Sequence, residues 1–203
     1  MPMAVADLKL KWHVLAMVVL MLGLGLAHEW VNPWLRYDRE AVAAGQVWRL
    51  LTCHLVHLNL SHMAMNLAGF LLCCFFFNDL LTRKILWLWL LPSSIAVGCA
   101  FYFIDDGLSW YVGLSGILHG LFIVCLLLGW RGNPGLHSVV MVLIVGRLIW
   151  EQMPGYDVDY LRTVINGRVY VNAHLYGSIA GAITGVGICL QHALQQKRKK
   201  AVV

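Results

Sequence analysis

Apolar residues gather along this chain into runs of about 20, the length a helix needs to cross a hydrocarbon core roughly 30 Å thick, with charged residues collected between the runs. The breaks predict six spans at 12–31, 61–78, 85–104, 113–130, 136–152 and 173–192, the second reached through an apolar but His-rich approach that begins near Trp48. No soluble domain, long linker or clear repeat of 20–50 residues interrupts the series, so residues 1–203 are expected to form a single membrane domain ending in a basic tail, 196–203.

Composition supports that setting. Of the 203 residues 60% are hydrophobic and 12% charged, and the mean hydropathy is +0.72, against about 25% charged in soluble domains. The first apolar run follows basic residues as a signal peptide would, but its length and the lack of a small-x-small site after Gly25-Leu26-Ala27 favour a retained helix. The six cysteines have no paired or metal-like spacing apart from Cys73-Cys74, and read as packing thiols.

If the spans alternate, Lys9, Lys11, Arg83, Lys84, Arg131 and Lys197-Arg198-Lys199-Lys200 fall on one side. The other side holds Asp38, Glu40, Asp105, Asp106, Asp157 and Asp159, mixed with Arg36, Arg39, Arg49, Arg162 and Arg168. Positive charge is retained in the cytoplasm during insertion, so both termini are expected there. The net charge of +5 is then a topology signal, and the basic tail fits a lipid surface rather than nucleic acid.

Two polar groups stand out at membrane depth. Ser115 lies in Gly113-Leu114-Ser115-Gly116, and His174 opens the sixth span ahead of Gly177, Gly181 and Gly185. A serine hydroxyl needs a base to become nucleophilic, and parallel fourth and sixth spans put both residues near the same face of the membrane. Gly116 and Gly120 form a small-residue face that matches the glycine stripe after His174, and such faces let helix backbones approach closely. A plainer reading remains: the glycines are packing notches and the serine satisfies a backbone carbonyl.

His62 and Asn66, four apart on one helical face, can donate hydrogen bonds to a developing oxyanion. His54 and His57, with His62, also suggest zinc, yet there is no HExxH, nearby Cys pair or helical carboxylate to complete such a site, and no cofactor or metal is expected. His119 competes with His174 as base, because helical side chains lean toward the N-terminus and Ser115 is four residues back. Arg147 and Glu151, four apart in the fifth span, read as an intrahelical ion pair, a snorkelling carboxylate, or a polar site for substrate or lipid headgroup.

Taken in order, Trp48-Arg49, His57 and His62, Asn66, Gly113-Leu114-Ser115-Gly116, and Ala173-His174 with Gly177 and Gly181 resemble the rhomboid intramembrane serine proteases. The resemblance implies a six-helix bundle, with Ser115 as nucleophile, His174 as general base, and His62, Asn66 and the Ser115 backbone N–H as oxyanion donors. Short loops and the extended motif Gly113 to Gly120 are similar to the rhombosortase branch, which implies a bacterial inner-membrane enzyme with its site toward the outer face. Its implied substrates are exported proteins with a C-terminal Gly-Gly motif, a hydrophobic helix and a basic end.

No Asp or Glu is evident beside His174, so a Ser-His dyad is expected. Asp157 and Asp159 lie in the preceding loop without a reason to meet the imidazole, and Tyr111, Tyr170 or Tyr176 are candidates to stack on it. Two other classes are open, a catalytically inactive rhomboid relative that binds transmembrane clients and a small His-lined metal transporter.

Overall fold

A polar residue directly ahead of an apolar run starts most of the long helices. In the computed structural model, which describes residues 11–156 and 159–201, the chain runs α1 (Trp12–Leu26), α2 (His28–Leu35), β1 (Tyr37–Asp38), α3 (Arg39–Ala43), α4 (Arg49–Thr52), α5 (Leu60–Phe76), α6 (Arg83–Phe103), β2 (Trp110–Tyr111), α7 (Ser115–Gly129), α8 (Pro134–Glu151), α9 (Asp159–Ile165) and α10 (Val171–Ala201). Lys9 and Asp157 lie outside the described residues, as do the side chains of Asp159 and Lys200. Asn59 caps α5 by accepting the His62 N–H at 2.8 Å, Thr82 caps α6 through Ile85 N–H at 3.2 Å, and Asn133 caps α8 through Leu136 N–H at 3.2 Å with Pro134 next in line.

Each expected span has a helix, with one correction. The first ends at Leu26 rather than continuing to Val31, and the chain turns by 100° into α2. The run loses its apolar character at His28, Glu29 and Asn32, and Asn32 donates its amide to the His57 carbonyl at 2.9 Å. α2 exposes Trp30 and Trp34, as a helix lying along a bilayer surface does. By length and hydropathy α6, α8 and α10 are able to cross a membrane, and α1 with α2 passes as one bent span. α5 and α7 are apolar but shorter, 17 and 15 residues. At its far end α10 carries Lys197, Arg198 and Lys199 as a continuous helix.

α7 is buried along most of its length and forms the centre. Its tightest partner is α10, running parallel to it. An added Cβ on Gly120 or Gly181 would strike the facing backbone, Gly177 and Gly120 respectively, and one on Gly177 would strike the Gly116 carbonyl. α6 packs against the same pair, and the buried Trp89 indole donates to the Ile117 carbonyl at 2.7 Å. By contrast α8 sits at the edge and buries only Leu148 and Glu151.

The loops above the helices are held largely by arginine. Arg39 donates to the carbonyls of Phe101, Tyr102 and Asp105, satisfying the open C-terminal end of α6. The buried Arg49 donates to Pro33 and Arg36 carbonyls at 2.8 and 2.9 Å. β1 and β2 pair antiparallel, Tyr37 opposite Tyr111 and Asp38 opposite Trp110, which ties the segment after α2 to the segment ahead of α7. Asp105 accepts from the Tyr176 hydroxyl at 2.9 Å and the Asn172 amide at 3.2 Å, anchoring the first turn of α10 to the end of α6.

Candidate active site

Ser115 is the first residue of α7. A 15-residue helix spans roughly 22 Å, well short of a hydrocarbon core of about 30 Å, so its first residue can stand beneath the membrane surface. The chain enters through Gly113 at φ +129°, a conformation that disfavours any residue with a Cβ. Gly113 N–H donates to the Cys53 carbonyl at 2.9 Å, and its own carbonyl accepts from the Tyr111 hydroxyl at 3.0 Å. A Cβ there would also lie 2.8 and 3.0 Å from Cε1 and Nε2 of His62, so the glycine makes room for that ring.

His174 is buried near the start of α10, with Nε2 3.2 Å from Ser115 Oγ. The close contact of Gly116 with Ala173 and Gly177 one turn along sets that distance through the two backbones. The expectation of no acid beside His174 is corrected: Glu151 Oε2 lies 2.8 Å from its Nδ1. Glu151 closes the fifth span and His174 opens the sixth, so their similar depth was visible in the sequence, but depth says nothing about which helix faces meet. A carboxylate can only accept, so Nδ1 carries the proton and Nε2 presents its lone pair to the serine hydroxyl. The other carboxylate oxygen accepts from Arg147 Nε at 2.9 Å, and Arg147 also meets the Tyr156 hydroxyl. With its side chain 2% exposed, Glu151 does not snorkel.

The stacking partner of His174 is also different from expectation. His119 lies over it, ring centroids 4.2 Å apart and planes 23° apart. Tyr111, Tyr170 and Tyr176 gather instead around Phe101. His119 Nδ1 is 2.8 Å from the Ser115 carbonyl oxygen, not the hydroxyl, and must donate there.

On the other side of the serine, His62 Nδ1 accepts a long bond of 3.4 Å from Leu58 N–H, which leaves Nε2 protonated beside Gly113. Asn66 is buried, and among the described residues its Nδ2 has no hydrogen-bond partner. The Ser115 N–H belongs to the first turn of α7, where amides lack intrahelical acceptors and the helix dipole favours negative charge. His57 is fully buried edge-on to His62 at 5.2 Å; burial, and then His62, push it down to about 3, so it stays neutral. Burial likewise pushes His54 down to about 4 while its Nε2 contacts the Ser94 carbonyl oxygen at 3.2 Å. Among the described residues no group of three or more His, Cys, Asp or Glu is placed to hold a metal ion.

Ser115, His174, His62 and Asn66 line one cavity of about 880 Å³. Its walls are α5, α7 and α8, contributing Met65, Phe122 and Ile144 among others, with segments 107–112 and 161–170, Leu58, and His174 at the start of α10. The arrangement brings a hydroxyl, a neutral imidazole and three potential donors to one side of an apolar hollow.

Comparison with known proteins points the same way. A family profile for the Rhomboid domain matches residues 44–191. The protein described as "Putative rhomboid protease YdcA" from Bacillus subtilis (strain 168) is 27% identical over 157 residues, which cover 74% of this chain and 71% of that protein.

Proposed function

The chain belongs to the rhomboid family of integral membrane proteins, and on that premise we propose that it is an intramembrane serine endopeptidase that cleaves transmembrane protein substrates. The observation that carries the reading is the 3.2 Å approach of His174 Nε2 to Ser115 Oγ inside the cavity.

In this reading Ser115 Oγ attacks the scissile carbonyl carbon while its proton passes to His174 Nε2. The carbonyl oxygen becomes an oxyanion that receives hydrogen bonds from His62 Nε2–H, Asn66 Nδ2–H and the Ser115 backbone N–H. Donors already aimed and desolvated stabilise such a charge far more than water does. The imidazolium then gives its proton to the departing amine as the C–N bond breaks, leaving an acyl-serine. Water, deprotonated by the same imidazole, releases the acid.

The unpartnered Asn66 amide supports this division of roles, because a buried donor left open in the resting protein is available to a charge that exists only during reaction. Substrate has a route between α5 and α8, since both line the cavity and α8 is lightly held. With both termini in the cytoplasm, the site faces the outer leaflet of a bacterial inner membrane. A buried serine reaches a peptide bond only in unwound chain, and each glycine lowers helix stability by about 1 kcal/mol relative to Ala. That favours the C-terminal Gly-Gly, hydrophobic, basic-ended tails of exported proteins as substrates, the specificity of the rhombosortase branch.

The test uses purified full-length protein in proteoliposomes. A fluorophosphonate should label wild type but not Ser115→Ala, and a tail-anchored Gly-Gly reporter should be cut where an Ala-Ala version is spared. Cleavage by His174→Ala with failure of His119→Ala would move the base to His119. Folded protein that neither labels nor cleaves would mark a client-binding relative without hydrolysis.

A further inference from the structure

Glu151 is a carboxylate in a lightly anchored helix, α8, where Leu148 is the other buried residue, yet its side chain is 2% exposed. Burying a carboxylate is unfavourable unless every oxygen is matched, and here the two oxygens face different partners: Oε1 accepts from Arg147 and Oε2 from His174. A structural ion pair alone would need only Arg147, whose position four residues back on the same helix suffices. The second contact joins α8 to α10 and ends on the imidazole.

That imidazole is held at three points. Glu151 takes Nδ1, Ser115 Oγ meets Nε2, and His119 covers one face while its own Nδ1 is fixed to the Ser115 carbonyl. Without the carboxylate, nothing among the described contacts of His174 selects Nδ1–H over Nε2–H, and a ring protonated at Nε2 cannot accept the serine proton.

Resting on the serine-protease reading above, we propose that Glu151 is the positioning residue of the site, turning Ser115 and His174 into a Ser-His-Glu relay by fixing the tautomer and plane of His174. It touches neither substrate nor reacting atoms and acts through the imidazole. Because it rides on α8, which also supplies Val140 and Ile144 to the cavity wall, the orientation is complete only while α8 is seated. A substrate that lifts α8 on entry meets a slack histidine, and hydrolysis waits for the helix to return.

Glu151→Gln keeps the shape and removes the charge. Its expected effect is a fall of about 10²- to 10⁴-fold in kcat and in the fluorophosphonate labelling rate, with KM for the transmembrane substrate within about twofold. A low-field proton signal from His174 Nδ1–H should be present in wild type and absent in the variant. In a His174→Ala background the same substitution should subtract less than about twofold, because residues acting as one unit are not additive. Gly146→Ala, on the same helix with nothing within 4 Å of the added methyl, is the control and should retain wild-type rates. Wild-type labelling by Glu151→Gln, or a loss that adds in full to that of His174→Ala, overturns the proposal. If Glu151→Gln fails to fold because Arg147 loses its carboxylate, the Arg147→Gln, Glu151→Gln pair is read by the same criteria. Loss of the enzyme reading itself shows separately, as labelling that survives Ser115→Ala.

Discussion

Replacing Gly177 by alanine adds one methyl group at the point where the site is assembled. That methyl would overlap the Gly116 carbonyl and lie 3.0 Å from the Ile117 nitrogen, both backbone groups that no rotamer change can move. Carbon contacts relax only near ~3.5 Å, so α10 must retreat from α7 by about 1 Å or more. His174 is three residues from the contact and Ser115 one residue from its other side, so the 3.2 Å gap between Nε2 and Oγ opens beyond hydrogen-bond reach. A misplacement of that size removes about 10²-fold in rate. Stability should change far less, since overpacking costs about 1–3 kcal/mol while alanine regains about 1 kcal/mol of helix propensity. The assay is the fluorophosphonate labelling rate beside the unfolding temperature in the same detergent. Gly187→Ala is the control on the same helix, with nothing within 4 Å of its methyl, and should leave both readouts unchanged. A Gly177→Ala protein that labels at the wild-type rate would refute the claim that backbone contact sets the serine–histidine distance.

Gly113→Ala should lose about 1–3 kcal/mol because of the positive φ, and should also lower turnover by displacing the His62 ring, read by thermal unfolding and reporter cleavage together. Asn66→Ala should lower kcat by about 10²-fold through loss of an oxyanion donor, while its unfolding temperature holds or rises, since the Nδ2 removed has no partner at rest among the described residues; unchanged kcat would remove Asn66 from the mechanism. Trp89→Phe should show the reverse, losing about 1 kcal/mol with the indole hydrogen bond to the Ile117 carbonyl and keeping a labelling rate close to wild type.

Hydropathy made most of the long helices legible in advance, because a membrane segment must be long and apolar. The pairing of α7 with α10 was legible too, since Gly116, Gly120, Gly177 and Gly181 have few other uses at that spacing. What stayed hidden was rotation about the helix axes. Glu151 and His174 stand at matching depth, but no periodicity says that one faces the other, or that the His119 ring covers His174. The β1 and β2 pairing of two residues each is too short to leave an alternating pattern. The bend at Ala27 is marked only by the polar residues His28 and Glu29, and Trp30 and Val31 beyond them let the first span be drawn too long.

The shortness of α5 reaches beyond the protein. Its 17 residues rise roughly 25 Å, and Leu71, Leu72, Phe75 and Phe76 on it are exposed. Lipid meeting that face is mismatched to a core of about 30 Å and relieves the difference by thinning. A visiting helix cut to the length of the undisturbed bilayer would arrive at this rim with about a turn of its backbone out of hydrocarbon. Its end would be wetted and loosened before it touched the serine, and the membrane's own elasticity would have begun the unwinding.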